Sequence, residues 1–356
     1  MSNFNVVFVT TSKFMFYCVI CKGYLQTNYD IKSRIFLVNK NDDLVVGENE
    51  IVVPFTFEGM EYSYGLPNCL VMNPNQTKFL NDKQSCGEYI DLIGIPNIPT
   101  FYNRKTQTTK DLVNFTNKFS KNSTYCIKGR TTSASRDIEF VNKDTLLNKY
   151  ENSEMLRDYI IQLYIESDYI LAMDCVCYKG KIKGFLINKS PLFFRKEDKF
   201  IKNRFVKYTH ELLNDKSNNL FYNRVYDNTK QIVESVEYDG FIEIEWLCRE
   251  GDNTLLFLEI NPRMSGNLNY SNYRDLSNVS LPYIDVILVN YIATIIELNF
   301  KKNKNKTIAN NLRKNIPCKF PKKITKGSYN LGARPVLALI SLIIIVVLVS
   351  KLNFSK

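Results

Sequence analysis

GFIEIEWLCREGDNTLLFLEINPRMSG, residues 240–266, reads as two apolar strands joined by a polar turn, yet it carries acidic residues where a buried strand avoids them. A carboxylate inside a β-core is costly unless something neutralises it. Glu245 and Glu259 stand 14 positions apart across the apparent hairpin, so they can face each other. Asn261 lies two residues beyond Glu259, and Arg263 two beyond that, so strand alternation puts all three on one side. Two carboxylates and an amide oxygen are hard donors that suit Mg²⁺, an ion that takes few protein ligands and completes its shell with phosphate oxygens and water. Arg263 adds a planar fork for phosphate or carboxylate. The set reads as a metal–phosphate site. On spacing alone, a solvent-facing strand pair with surface salt bridges stays open. Glu243 reads as outward-facing, or as a neighbour of the ligands rather than one of them.

Upstream, the chain alternates strand and helix signals. NVVFVTT (5–11), SRIFLVNK (33–40) and ENEIVVPF (48–55) read as strands of a small α/β unit over 1–79. Asp82 is placed to cap a helix running through Leu92, which Gly94 and Pro96 stop, and a strand starts near Thr100. A helix to about Phe119 leads to the strand STYCIKG (123–129), the polar loop RTTSASRD (130–137) and the strand IEFV (138–141). ENSEMLRDYIIQLYI (151–165) reads as a helix leading into a strand. YILAMDCVCYKGKIKGFLINKS (169–190) reads as two antiparallel strands turning at Lys179-Gly180. A helix-rich stretch is expected around 202–236, and a long, largely buried helix over 280–298.

The 356 residues, 45% of them hydrophobic, are enough for two or three packed units. The net charge of +11 comes from lysines spread along the chain that thicken after Phe300, in KKNKNK and KFPKKITKG. No Lys/Arg stripe interleaved with aromatics is present, which argues against nucleic acid as a partner. The nine cysteines lack zinc spacing, and their scatter favours reduced thiols. The single histidine, His210, leaves little room for acid–base chemistry built on imidazole.

LEINPRMSG resembles the E-x-N-P-R segment of the ATP-grasp superfamily, the carboxylate–amine and carboxylate–thiol ligases with their carboxylase and synthetase relatives. LNDKQSCGEYIDLIGIPNIPTFYN (80–103) is similar to that family's D-K entry segment with its G-I-P-x-P-x-T run. YCIKGRTTSASRDIEFV (125–141) is similar to its strand–lysine–loop–strand, and QLYIESDYILAMDCVCYKGK (162–181) to the strand crossing the adenine pocket. The resemblance spans 83–297. It implies an α/β fold: a Rossmann-like pre-ATP-grasp domain over 1–79 and a two-lobed α+β ATP-grasp core over 80–315, with a lid subdomain at about 115–165. It also implies an ATP- and Mg²⁺-dependent (or Mn²⁺-dependent) ligase joining a small-molecule carboxylate to an amine. Carried over residue by residue, Glu245, Glu259 and Asn261 match the metal ligands, and Arg263 and Lys128 the groups that steady the transferring phosphoryl. Lys83 and Lys128 match phosphate contacts, Gln162, Leu163 and Ile165 the adenine hinge, and Asp168 the acid on the ribose. The lid loop departs from the pattern, with Thr131, Thr132, Ser133, Ala134 and Ser135 where glycines are usual, and Tyr169 and Ile170 stand where a Glu is expected.

The far end differs from the rest. VLALISLIIIVVLVS (336–350) has no charge, and Leu352 to Phe354 extend it. About 19 residues at ~1.5 Å rise give roughly 28 Å, close to a hydrocarbon core. A transmembrane helix is expected over 336–354, after a basic juxtamembrane linker over 316–335. The excess of Lys and Arg before the span predicts that the large N-terminal part stays cytosolic.

Overall fold

The computed structural model describes residues 4–38, 43–104, 106–131, 138–152, 158–191, 211–213, 219–264, 283–299 and 303–315. The elements run β1 (Asn5–Thr10), α1 (Met15–Tyr29), β2 (Lys32–Leu37), β3 (Glu50–Pro54), α2 (Phe57–Ser63), α3 (Pro74–Asn81), α4 (Lys83–Leu92), β4 (Thr100–Tyr102), α5 (Thr109–Thr116), β5 (Thr124–Gly129), β6 (Ile138–Asn142), α6 (Lys143–Asn152) and β7 (Tyr159–Leu163). There follow β8 (Tyr169–Tyr178), β9 (Lys181–Pro191), β10 (Glu211–Leu213), α7 (Tyr222–Ser235), β11 (Gly240–Arg249), β12 (Thr254–Asn261), a π-helical turn at Ile284–Leu288, α8 (Val289–Asn299) and α9 (Asn303–Lys314).

Three sheets organise these elements. The first is parallel, in the order β2-β1-β3; the second is β10-β9-β8-β11-β12, with antiparallel pairings; the third is β4-β7-β5-β6, also antiparallel. The parallel sheet follows from strands with buried Val and Ile on both faces, such as Val6 to Val9. Its core is continuous with the next unit: Phe8 and Val53 share one apolar cluster with Ile287, Tyr291 and Ile295. The Tyr291 hydroxyl accepts from Leu70 N (2.9 Å), and Asp285 accepts from the hydroxyls of Tyr24 (2.9 Å) and Tyr29 (2.6 Å).

Local expectations are met at several places. Asp82 caps α4 by accepting from Gln84 N and Ser85 N. The β8–β9 hairpin turns on Lys179 and Gly180, both at positive φ. Gly180 is needed there twice over, since a Cβ would also stand 2.8 Å from Glu234 Cα. A helix the sequence did not signal spans Lys143–Asn152, and most of the helix expected within 151–165 falls on residues outside those described. One reading is corrected. Residues 211–213, expected in a helix-rich stretch, pair with β9 as an edge strand.

The expected basic linker (316–335) and span (336–354) lie outside the described residues, as do His210 and most of the loop after Arg130. Among the described residues, no helix is long and apolar enough to cross a membrane.

Asp82 also holds the start of the 130–137 loop. Its carboxylate takes the Arg130 guanidinium at 2.6 and 3.1 Å, while Lys83 N donates to Arg130 O at 3.0 Å. Asp82→Ala removes both a helix cap and this ion pair, and is expected to cost about 1–2 kcal/mol. Asp82→Asn keeps the cap and should cost less. Urea unfolding of the two variants checks the order.

Candidate functional site

The hairpin of the opening stretch is built as its alternation requires. In the β11–β12 register Glu245 stands opposite Glu259, and Glu243 opposite Asn261. A bulge interrupts the ladder beside Glu245, and the next pair is Trp246 with Phe257. Leu258 is the extra residue, so Leu258 and Glu259, neighbours in sequence, both reach the same cleft. Trp246 and Phe257 close the opposite face, edge to face at 5.9 Å with Trp246 fully buried.

That cleft, about 770 Å³ with its open mouth included, lies between the two antiparallel sheets. One wall is Cys126 and Lys128 of β5, Ile138 and Phe140 of β6, and Gln162 of β7; the other is Ile170 of β8, Glu245 and Leu247 of β11, and Leu258 and Glu259 of β12. Leu163, Tyr164 and Ile165 join the walls. Register explains the first wall: Cys126 pairs with both Phe140 and Gln162, and Lys128 pairs with Ile138. Side chains two apart on these strands share a face. The cleft is in the usual size range for a small-molecule site, apolar with a few polar groups at one end.

The polar end is crowded with negative charge. Burial, then the carboxylates of Glu259, Glu243 and Asp174, push the Glu245 carboxyl well above its ordinary value, against the pull of Lys128. Lys83 Nζ is 3.7 Å from Glu259 Oε2. Asn261 Nδ2 donates to Glu243 Oε2 (3.1 Å) and Glu259 Oε1 (3.4 Å), and Arg263 reaches Asn261 Oδ1 at 3.5 Å. Among the described residues, no three Asp, Glu, His or Cys side chains form a ready-made metal cage. The donor set is instead two carboxylates and one amide. Excess acidic charge on hard oxygen donors is what a divalent cation relieves, so these residues fit one.

The remaining expected residues divide. Gln162 is buried and donates to Thr100 Oγ1 (3.1 Å), while its buried Oε1 has no hydrogen-bond partner among the described residues. At the hinge, Leu163 N donates to Pro99 O (2.9 Å) and Tyr164 N to Thr124 O (2.8 Å); the Ile165 N–H has no backbone partner among the described residues. Asn261 and Arg263 continue along and beyond β12 without lining the cleft. Asp168 is held by the β11–β12 turn. Its Oδ2 accepts from Glu250 N at 2.7 Å, its own N–H donates to Cys248 O, and it does not line the cleft. The hairpin turn takes this carboxylate, and Ile170 occupies the wall instead. Glu243 is not outward-facing: it is 6% exposed, with the Asn261 amide against it. The sequence reading missed Cys126, Ile138 and Phe140, although alternation along the two strands contained them.

Residues 81–267, more than half of the chain, match the family described as ATP-grasp domain. No curated protein sequence matches it. Among solved structures, D-alanyl-alanine synthetase A from Vibrio cholerae O1 biovar eltor str. N16961 aligns over 83% of this chain and 99% of its own, at TM-score 0.56 and 11% identity. D-alanine–D-alanine ligase from Bacillus anthracis aligns over 85% and 99%, at TM-score 0.53 and 13% identity. L-amino acid ligase from Bacillus licheniformis aligns over 77% and 70%, at TM-score 0.50 and 11% identity. At such identities the likeness is one of fold. With the domain match over the cleft-forming residues, it places this chain in the ATP-grasp family.

Proposed function

We propose that this chain is a Mg²⁺-dependent, ADP-forming ligase that activates a carboxylate with ATP and joins it to an amine or, less favoured, a thiol. One observation carries the reading: Lys128 from one sheet and the Glu245–Glu259 pair from the other converge on a single cleft of nucleotide size. In it, the apolar walls of Ile138, Phe140, Ile170, Leu247 and Leu258 take the adenine. The unfilled Gln162 Oε1 and the Ile165 N–H supply the hinge acceptor and donor. Lys83 and Lys128 face the phosphates. Glu245, Glu259 and Asn261 would hold Mg²⁺, which supplies neutralisation of the phosphate charge when bound.

The chemistry asks for alignment and charge neutralisation more than for an acid or base. A substrate carboxylate oxygen attacks the γ-phosphorus, the bond to the ADP oxygen breaks, and an acyl phosphate forms. The amine nitrogen then attacks the acyl carbon, loses a proton and expels phosphate. Arg263, beyond Asn261 on the same row, steadies the transferring group. The likeness to D-alanine–D-alanine ligase and L-amino acid ligase supports a pair of amino acids as carboxylate and amine. The reading includes a cytosolic catalytic part tethered by a membrane helix over 336–354.

A second reading has a specific observation behind it. With Asp168 tied to Glu250 N and Ile170 on the wall, the chain would be an ATP-binding, membrane-anchored interaction module without turnover. ADP release by the full-length chain with Mg²⁺-ATP and a panel of amino acids, offered singly and in pairs, separates the two. Release that requires an amino acid supports the ligase, and binding of ATP with no release on any of them supports the module.

A further inference from the structure

We infer that Thr100 is a positioning residue that sets the base selectivity of the cleft: it holds the Gln162 carboxamide with its oxygen free, so that the hinge accepts a 6-amino purine and rejects a 6-oxo one. The inference rests on the reading of the cleft as a nucleotide site with Gln162 at its hinge. A carboxamide carries a donor end and an acceptor end on one planar group, and its neighbours decide which end a ligand meets. Here a short chain of bonds decides. The Thr100 hydroxyl donates to Ile98 O at 2.7 Å. A carbonyl only accepts and a hydroxyl has a single proton, so the Thr100 oxygen is left as an acceptor. Gln162 Nε2 donates to it at 3.1 Å. With the amino end fixed, Oε1 turns away from Thr100, buried and without a hydrogen-bond partner among the described residues.

The backbone fixes this contact. Thr100 and Gln162 are register partners of β4 and β7, and Cys126 of β5 is the partner of Gln162 on its other side. Gln162 is 5% exposed and lines both the main cleft and a smaller cavity beside it, which Lys83, Tyr102 and Glu259 also line. Thr100 lines neither, so it acts on a ligand only through Gln162. A buried acceptor that no protein group fills is costly unless the ligand brings a donor. The Ile165 N–H, with no backbone partner among the described residues, is the matching donor. The hinge therefore presents one acceptor and one donor. The 6-amino group and the N1 acceptor of adenine complement that pair. A 6-oxo purine brings an acceptor at position 6 and an N–H at position 1, and opposes both.

The test is isothermal titration of the full-length chain with Mg²⁺-ADP and with Mg²⁺ and inosine diphosphate, the 6-oxo counterpart of ADP. The quantity read is the ratio of the two Kd values. The parent should favour ADP at least about thirtyfold, since each group left unpaired costs at least about fivefold. Thr100→Val keeps the shape and removes the hydroxyl. The carboxamide is then free to turn its amino end to the 6-oxo group, and the ratio should fall at least about fivefold. Thr100→Ser restores the hydroxyl and should keep the ratio within about twofold of the parent. Gln162→Met offers neither donor nor acceptor, so its ratio should fall too. Adding Thr100→Val to Gln162→Met should change that ratio less than about twofold, a non-additive cycle. A Thr100→Val chain with the parent's ratio, a Ser variant as unselective as the Val variant, or equal falls in both backgrounds would overturn the inference. If Thr100→Val does not fold, Thr100→Ala compared with Thr100→Ser decides the same point. A parent chain that binds both nucleotides equally would remove Gln162 as the hinge acceptor, and this inference with it. A parent chain that binds neither would remove the nucleotide site itself.

Discussion

Glu259→Gln is expected to weaken binding of Mg²⁺-ADP at least about a hundredfold and to stop ADP release while leaving the fold intact. Partners of metal ligands are already worth ~10–100-fold in affinity, and a carboxylate that is itself a ligand is worth at least the upper end. The fold should survive because the change is small in shape. The new amide oxygen can still accept from Asn261 Nδ2, and the substitution gives up only a 3.7 Å contact with Lys83, which is a long ion pair. Removing one acid from a crowded acidic end also relieves repulsion on Glu245. Isothermal titration with Mg²⁺-ADP, beside a thermal melt of the same sample, reads both halves. Unchanged nucleotide affinity in a folded Glu259→Gln chain would end the assignment of the metal site.

The parts of this arrangement that follow from alternation and turn chemistry were legible in the sequence. The four-residue loop, Glu250 to Asn253, folds the two strands back and brings Glu259 beside Glu245, while the direct pairing of the two also needs the one-residue shift at Leu258. Lys179-Gly180 turns because both residues must reach positive φ. The Asp82 cap was visible as an acid before a helical run. What could not be read is decided by tertiary competition for polar groups. Asp168 has the right chemistry for a ribose and sits near the hinge in sequence, yet the Glu250 N–H in the hairpin turn takes its carboxylate. No local pattern announces that contact, since the partners are 82 residues apart. The bulge at Leu258 was also hidden, because adding one residue to a strand leaves the hydrophobic pattern nearly unchanged. Glu243 was ambiguous for a related reason. Alternation puts it on the same face as Glu245, but only the register with Asn261 shows what it touches.

Glu245→Gln should separate stability from ligand response. In the metal-free chain the Glu245 carboxyl titrates well above its ordinary value of 4.5, through burial and then the charges of Glu259, Glu243 and Asp174. The folded state therefore holds a proton that the unfolded state has released over the range above 4.5. Within that window folding stability falls as pH rises, with the sign set by the extra proton bound to the native chain. Replacing the acid with an amide removes this group's share of the fall, so metal-free Glu245→Gln should be more stable than the parent near neutral pH and no more stable at about pH 4. The parent should recover through binding instead. A ligand present at about a hundredfold over its Kd adds about 2.7 kcal/mol to stability, so Mn²⁺ with ADP should raise the parent's Tm clearly and the variant's hardly at all. Melts at about pH 4 and about pH 7, with and without Mn²⁺ and ADP, read both effects. A variant that is less stable than the parent near neutral pH without metal would mean that Glu245 is held by compensating charge. An equal ligand-induced rise in both chains would mean that the cation binds elsewhere.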